Sequence, residues 1–430
     1  REGFVSVAYE DLVLEDRVHS SLHSDPEVFA DEMERIFTRG WVFVGHESEI
    51  KESGDWVTRR IGTEPVIMTR DREGGVNVLS NRCTHRGTAL CWAAKGHSPS
   101  FTCNYHAWNF ALDGTLRQVP FPDGVPRDKS ELGLDRAKQV ESYRGFVYAN
   151  LDGSAGPLSD HLGVGGKGIL DRLCDMSPTG SVDLSKGWVG HRVQSNWKLW
   201  CESDIDGSHF PFVHGSMLES VDESYYGNMQ ERDPNERRGV SVGWPGGHTE
   251  VLSNGTHKKE LEWIAVPRER LDGYCEAIEE AYGAERAHEI LTEGPPHALI
   301  FPNVFAGEMT FSILEPVSAT EMIQWSTAVQ IPGVSESFNR RMLRQADAAM
   351  GPGAFIVTDD SVTAERIQLG VNGSRPGWAG DKRGWIDMSR GFHREHDGEH
   401  GRRQAESLDE ATNRGFWREY RKVMTERAAK

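Results

Sequence analysis

Two short stretches of this chain carry residue types that bind transition metals. The first, CTHRGTALCWAAKGHSPSFTCNYH, sets Cys83 beside His85 and Cys103 beside His106. Thiolate sulfur and imidazole nitrogen are soft to borderline ligands, so two Cys and two His suit either zinc or an iron–sulfur cluster. In zinc fingers built from two Cys and two His, both Cys precede both His. Here each loop offers one of each, as a two-iron cluster requires when one iron takes both sulfurs and the other both nitrogens. A structural zinc site is the competing reading. The second stretch, NWKLWCESDIDGSHFPFVHGS, carries His209 and His214, with Asp206 three residues before the first. On an ideal α-helix, residues five apart differ by about 140° and cannot share a ligand. A wide π-type turn near Gly207 and Pro211 would bring the two rings together, and such turns favour functional sites. Either carboxylate of GPGAFIVTDD, Asp359 or Asp360, would complete a set of two His and one carboxylate, which leaves positions open on Fe(II). Alone, such a His pair is more often plain surface or core; the upstream Cys/His quartet reverses those odds.

The elements that must hold these residues show in the period of the chain. Residues 24–39 read as a helix capped by Asp25, with Pro26 in the first turn and an apolar stripe of Phe29, Met33, Ile36 and Phe37. From Gly40 the period changes to short Val-, Ile- and Trp-rich strands separated by Gly and Asp turns. Residues 40–155 therefore read as a small all-β domain with the Cys/His loops at one end. Residues 151–190 read as a Gly-, Ser- and Asp-rich linker with a short helix. The run LGVGGKG within it lacks the Lys-Ser/Thr of a phosphate loop and follows no apolar strand, so it reads as a flexible connector. Beyond Trp188, strands mix with helices expected at 275–291, 335–350 and 406–428, the last with a stripe of Phe416, Tyr420, Val423 and Met424. The polar stretch 370–406 reads as a surface excursion, and its His393, His396 and His400 as solvated. The expected fold is α+β: residues 1–39 are the helical start of a larger catalytic domain, 40–155 are inserted, and 156–430 complete it with an antiparallel sheet flanked by helices.

Composition narrows the function classes. The 430 residues suffice for two or three domains and a large core. A net charge of −18 argues against nucleic acid and anionic membranes as partners. No apolar run approaches the roughly 20 residues that span a bilayer, and no basic segment followed by an apolar one opens the chain, so no secretory leader is expected. The six Cys are scattered, which fits a reducing cytoplasm better than a disulfide framework.

The motif Cys-x-His…Cys-x-x-His resembles that of Rieske [2Fe–2S] proteins. Together with GWVFVGHESEI, GDWVTRRIG and EPVIMTRD before it, CTHRG and CNYHAW at it, and NWKLWCES, Asp-x-x-His-x-x-x-x-His and the late Asp-Asp after it, the chain resembles the catalytic (α) subunit of Rieske non-haem iron aromatic-ring-hydroxylating oxygenases. The resemblance runs through nearly the whole length. It implies that Cys83, His85, Cys103 and His106 bind the [2Fe–2S] cluster and that His209, His214 and Asp360 bind the mononuclear Fe(II). It makes Asp206 the catalytic bridging carboxylate between the iron site and a cluster histidine of a neighbouring subunit. A homotrimeric core (α3 or α3β3) is implied, since within one subunit the two sites would lie too far apart for fast transfer. Respiratory Rieske proteins are less similar: they carry an extra disulfide-forming Cys in each metal loop, whereas Asn104 and Tyr105 separate the second pair here. Cys91 then reads as a buried small residue.

The chain departs from the family at three places. His106-Ala107-Trp108 replaces His-Gly-Trp, which costs little unless φ is positive there. Glu202-Ser203 stands where Glu-Asn is frequent, and Phe355, Ile356, Val357 and Thr358 precede the Asp pair where an aromatic or Glu is common. The resemblance implies an oxygenase that takes O2 and electrons from a separate ferredoxin or NADH-dependent reductase, because no Gly-x-Gly-x-x-Gly fingerprint follows a strand here. The expected reaction is dihydroxylation of an aromatic ring, with an aromatic carboxylate or polycyclic aromatic as substrate. Monooxygenation or demethylation of a substituted aromatic or quaternary amine is the alternative, and a non-enzymatic electron-transfer or zinc module is the reading from another class. Ile205, Phe210, Val213, Phe301 and Ile356 are apolar candidates for the substrate pocket, with His248 as a polar contact. Arg366 is a candidate cation for a carboxylate substrate, although a structural ion pair is its commoner role.

Overall fold

Val, Ile and aromatic residues favour paired strands, and the strands within residues 42–150 are rich in them. In the computed structural model, which describes residues 7–125, 127–220, 239–252, 259–264, 266–307, 309–373 and 384–426, the chain divides into two compact units. The smaller comprises Met33–Asp160 with Asp183–Ser185. The larger comprises Arg1–Glu32, His161–Val182 and Lys186–Lys430.

The smaller unit is built from three antiparallel sheets. The widest runs in the order Val76–Ser80, Glu64–Arg70, Asp55–Ile61, Lys95–His97. A second joins Gln139–Tyr143, Phe146–Asn150 and Val42–His46, and a third joins Phe101–Thr102, Asn109–Phe110 and Leu116–Gln118. Ile67, Leu79, Phe101, Trp108, Phe110 and Leu116 form a core that also contains Cys83 and Cys103. Asp183–Ser185 belongs here because Asp183 pairs with Lys51 at 2.8 Å and the Leu184 N–H donates to Ser48 Oγ.

The larger unit is organised on a nine-stranded antiparallel sheet. Its order is Val189–Val193, Glu321–Ala328, Thr310–Ser318, Val304–Gly307, Ala298–Ile300, Thr249–Leu252, Val240–Gly243, Arg403–Glu406, His396–Asp397. The C-terminal helix Ala411–Glu426 buries Phe416, Tyr420, Val423 and Met424 as its stripe predicts. It crosses the strand Val240–Gly243 at a Gly–Gly contact: a Cβ on Gly415 would lie 2.7 Å from the Gly243 Cα.

Several expectations are corrected. The helix expected over 24–39 is an α-helix over Pro26–Glu32 that widens into a π-helix over Met33–Thr38. Asp25 does cap it, accepting from the Glu27 N–H at 2.8 Å. The LGVGGKG run is no flexible connector but part of a helix over Leu158–Asp175, kinked at Gly163. Its glycines serve close packing: a Cβ on Gly165 would lie 2.3 Å from the Trp244 ring, and one on Gly166 3.1 Å from the His248 ring. The helix expected at 275–291 is split by Gly283 into Tyr274–Tyr282 and Ala284–Glu293. The stretch 370–406 is more than a surface excursion, since 396–397 and 403–406 extend the large sheet; residues 374–383 lie outside the described residues. His393, His396 and His400 are exposed.

The helix Trp197–Asp204, which leads into the second His pair, is anchored by a buried charge. Asn196 caps it, its side chain accepting from the Lys198 N–H. Lys198 is fully buried and pairs with Glu32 at 2.6 Å, and Glu32 also accepts from the Tyr420 hydroxyl at 2.6 Å and the Trp197 indole at 3.0 Å. Removing one member of a buried pair strands the other charge without solvent. Glu32→Ala is therefore expected to cost about 3–5 kcal/mol, read as a lower thermal unfolding midpoint at constant iron content.

Candidate metal centres

In the smaller unit, two turns of the same design present the Cys/His pairs. In the first, the Gly87 N–H donates to the Cys83 carbonyl at 2.8 Å; in the second, the Ala107 N–H donates to the Cys103 carbonyl at 2.9 Å. Asn81 closes the first loop, its side chain accepting from the N–H groups of Leu90 and Cys91 and donating to the Cys91 carbonyl. The thiols of Cys83 and Cys103 are buried, while His85 and His106 are exposed with ring centroids 4.5 Å apart. The His85 ring stacks on Trp108 at 4.7 Å, nearly parallel. Burial, with Cys103 close by, raises the Cys83 thiol above its ordinary range, opposed by the backbone N–H groups of His85 and Arg86. Two adjoining thiols inside and two adjoining imidazoles outside match the donor set of a [2Fe–2S] group whose irons differ in ligation. Cys91 is not part of this set. Burial pushes its thiol up to about 12, and it fills core.

The turns also settle the first departure. Ala107 has φ of +55° and its counterpart Gly87 +76°. A Cβ in the left-handed region costs about 1–2 kcal/mol, partly offset by the greater backbone entropy a glycine loses on folding. Ala107→Gly is expected to stabilise the holoprotein by about 0.5–1 kcal/mol, raising the unfolding midpoint by about 2 °C, measured with the cluster's visible spectrum as a control.

In the larger unit, the expected π-type turn is absent. His209 and His214 instead stand at the two ends of a one-turn helix, Phe210–Val213, with Pro211 in its first turn. The N–H groups of Phe212 and Val213 both donate to the His209 carbonyl. His214 leaves the helix at φ −98° and ψ 33°, which swings its ring back toward His209. Asp360 reaches them from the first turn of the helix Val357–Asn372. His209 Nε2 lies 3.3 Å from His214 Nε2, and Asp360 Oδ1 lies 3.6 and 3.3 Å from those two atoms. Three donors bound at right angles to one ion at about 2.1 Å would stand about 3 Å apart. Asp360 Oδ1 and the Nδ1 atoms of both histidines are buried without a hydrogen-bond partner. Among the described residues, these three form the one such cluster of ligand types.

The electrostatics point the same way. Burial works to lower the His209 imidazole, but Asp206 and Asp360 outweigh it and hold it up at about 10. Burial works to raise Asp360, but the two histidines pull it below the ordinary carboxylate range. Asp206 behaves likewise, held down by His209 and by the Ser208 N–H at 2.7 Å. A place that favours positive charge, ringed by three donors, suits a divalent cation. Asp206 Oδ2 stands 3.5 Å from His209 Nδ1, on the side away from the other ligands. Gly207 beside it leaves no room for a side chain, since a Cβ would lie 2.3 Å from the Ser407 carbonyl.

The structure distributes the six expected pocket residues unevenly. Phe210 and Val213 are half-buried, the Phe210 ring 5.4 Å from that of His214. Ile205, Phe301 and Ile356 are buried. His248 is fully buried: its Nε2 bonds to the His161 carbonyl at 2.8 Å and its Nδ1 accepts the Phe301 N–H. Arg366 is exposed. A cavity of about 430 Å³ lies elsewhere, lined by Ser216, Asp347, Ala348, Gly353, Ala354, Phe355, Thr358 and Asp359. None of the six expected residues lines it. Of the two acids in its wall, Asp359 belongs to the late Asp-Asp pair, whereas Asp347 carries no motif and only packing reveals it.

Residues 40–132 match the model of the Rieske [2Fe–2S] domain, and residues 181–426 that of the ring hydroxylating α subunit (catalytic domain). The chain is 32% identical to the anthranilate 1,2-dioxygenase large subunit of Acinetobacter baylyi, over 88% of this chain and 80% of that one. It is equally 32% identical to the N,N-dimethyl phenylurea N-demethylase subunit alpha of a Sphingobium species, over 81% and 78%. Naphthalene 1,2-dioxygenase with indole in its active site superposes with a TM-score of 0.81 at 26% identity, over 96% of this chain and 93% of that one. The fold agrees with these matches: the chain belongs to the ring-hydroxylating oxygenase α subunits, oxidoreductases that carry a Rieske [2Fe–2S] cluster and a mononuclear iron.

Proposed function

We propose that this chain is the terminal oxygenase of a multicomponent system that converts an aromatic ring to a cis-dihydrodiol. The convergence of His209, His214 and Asp360 on one point carries the reading, since this set leaves ion positions open for O2. In the overall reaction the arene, O2, two electrons and two protons give the dihydrodiol, with both oxygen atoms in the product. The iron and the cluster, when bound, supply O2 activation and one-electron relay. The chain's own residues do the rest. His209, His214 and Asp360 hold the iron on one side. Buried Cys83 and Cys103 and exposed His85 and His106 would hold the cluster, leaving the two imidazoles open to solvent or a partner. Asp206 Oδ2 stands 3.5 Å behind His209 Nδ1, and in the assembly it is proposed to accept from a cluster histidine of a neighbouring subunit. Phe210 and Val213 face the ring, with Ile205, Phe301 and Ile356 as the wall behind them. His248 serves the fold.

The partners proposed with this reading are a ferredoxin, an NADH-dependent reductase or both, on separate chains. The core is a homotrimer, α3 or, with a small β subunit, α3β3. No described helix is long and apolar enough to cross a membrane. None of the six cysteines is in a disulfide, which fits a reducing cytoplasm. Neither nucleic acid nor membrane is a proposed partner.

The demethylase relative favours a second reading. There an N-methyl group would leave as formaldehyde, one oxygen atom would enter the product and the other would leave as water. Turnover of a panel of arenes and N-methyl arenes under ¹⁸O2 separates the two. Two labelled atoms in a diol support the first reading; a single labelled atom, or formaldehyde, overturns it in favour of the second. An iron and sulfide assay gives a further check: three irons and two acid-labile sulfides per chain are expected, and zinc alone would reject both readings.

A further inference from the structure

The two ligand histidines are backed in parallel ways. His209 Nδ1 faces Asp206 Oδ2 at 3.5 Å, and His214 Nδ1 faces Asp359 Oδ2 at 3.7 Å. His214 is buried, and its Nδ1 has no hydrogen-bond partner. Asp359 sits in the first turn of Val357–Asn372, where the positive end of the helix dipole favours an anion. Its neighbour Asp360 points to the Nε2 side of the same imidazole, at 3.3 Å. Successive residues of one helical turn thus address opposite nitrogens of one ring. Asp359 Oδ2 also takes a long contact of 3.4 Å from the Ser216 hydroxyl, and both residues line the 430 Å³ cavity.

We propose that Asp359 is a positioning residue for His214, holding the proton on Nδ1 so that the Nε2 lone pair faces the metal. Ligating histidines almost always donate their second ring nitrogen to a carboxylate, carbonyl or water, and losing that partner costs 10–100-fold in metal affinity or activity. Among the described residues, Asp359 is the acid placed to receive His214 Nδ1. The contact is longer than a hydrogen bond and closes by a small turn of the carboxylate. Through it, the cavity wall and an iron ligand share one side chain.

This inference rests on the ligand set proposed above, and the test separates the two. Co(II) is titrated into the full-length, cluster-loaded protein freed of mononuclear iron, and its affinity and d–d absorption are read. Asp360→Ala is expected to abolish binding at this site. Asp359→Ala is expected to weaken it by about 10-fold or more and to shift the d–d bands. Asp359→Asn keeps an acceptor oxygen and is expected to stay within about 3-fold of wild type. Cluster spectrum and thermal midpoint should not move; should Asp359→Ala fail to fold, Asp359→Ser carries the same expectation. Wild-type affinity and bands in Asp359→Ala, with binding lost in Asp360→Ala, overturn the role of Asp359. Wild-type affinity in Asp360→Ala overturns the ligand set itself.

Discussion

Asp360→Ala is expected to lower turnover by on the order of 10³-fold or more, about 4 kcal/mol in the barrier, while the Rieske spectrum stays intact. The reason is geometric. Asp360 Oδ1 is the one hard, anionic donor in the cluster, within 3.6 Å of both imidazole nitrogens, and it balances the charge of a divalent ion. Without it two neutral imidazoles remain, and iron is expected to be lost on dialysis. The measurements are turnover, iron per chain by chelator assay and visible absorption of the cluster. Two irons and two sulfides per variant chain, against three irons in the wild type, is the expected count. A variant that keeps its third iron and more than a tenth of its activity would remove Asp360 from the ligand set.

The second large effect separates binding from transfer. Asp206→Asn should leave both metal sites filled and the cluster reducible by dithionite, yet slow turnover by about 100-fold, about 2.7 kcal/mol. Asp206 does not point into the ligand cluster but stands behind His209, 3.5 Å from Nδ1. Its carboxylate is held ionised by His209 and the Ser208 N–H, so it can accept on one side from His209 and on the other from a partner. An amide keeps the size but loses the charge and half the acceptor capacity. Single-turnover reoxidation of a pre-reduced cluster, in the presence of arene and O2, reads the step directly. Reoxidation at more than half the wild-type rate would remove the bridging role, whereas loss of iron from the variant would mean that Asp206 positions the ligand instead. Gly207 offers a related check on position: any side chain there meets the Ser407 carbonyl.

Much of this protein was legible because metal chemistry leaves local marks. Thiolate and imidazole at fixed short spacings are rare by chance, so Cys83, His85, Cys103 and His106 pointed to a metal site, cluster or zinc, before any fold was known. His209, His214 and Asp360 were legible through the resemblance, not through periodicity. Five-residue spacing on a regular helix argues against a shared ligand, and a helix end at His214, not a π-type turn, brings the rings together. The stripe of the C-terminal helix was read correctly because one helix face sets its own period. The glycine-rich helix Leu158–Asp175 was not, because its glycines answer to Trp244 and His248, which lie far along the chain.

The same division holds at the site. Sequence alone determined the donor types, the two-domain α+β organisation and the absence of a nucleotide fingerprint. The resemblance picked Asp360 from the Asp pair, and only the tertiary structure placed Asp359 behind His214. The tertiary structure also decided that Lys198 is neutralised by Glu32 and that Ala107 sits at φ +55°. The physical reason is range. Ligand identity and helical period are properties of neighbours along the chain, whereas burial, hydrogen-bond partners and backbone strain depend on residues brought together across it.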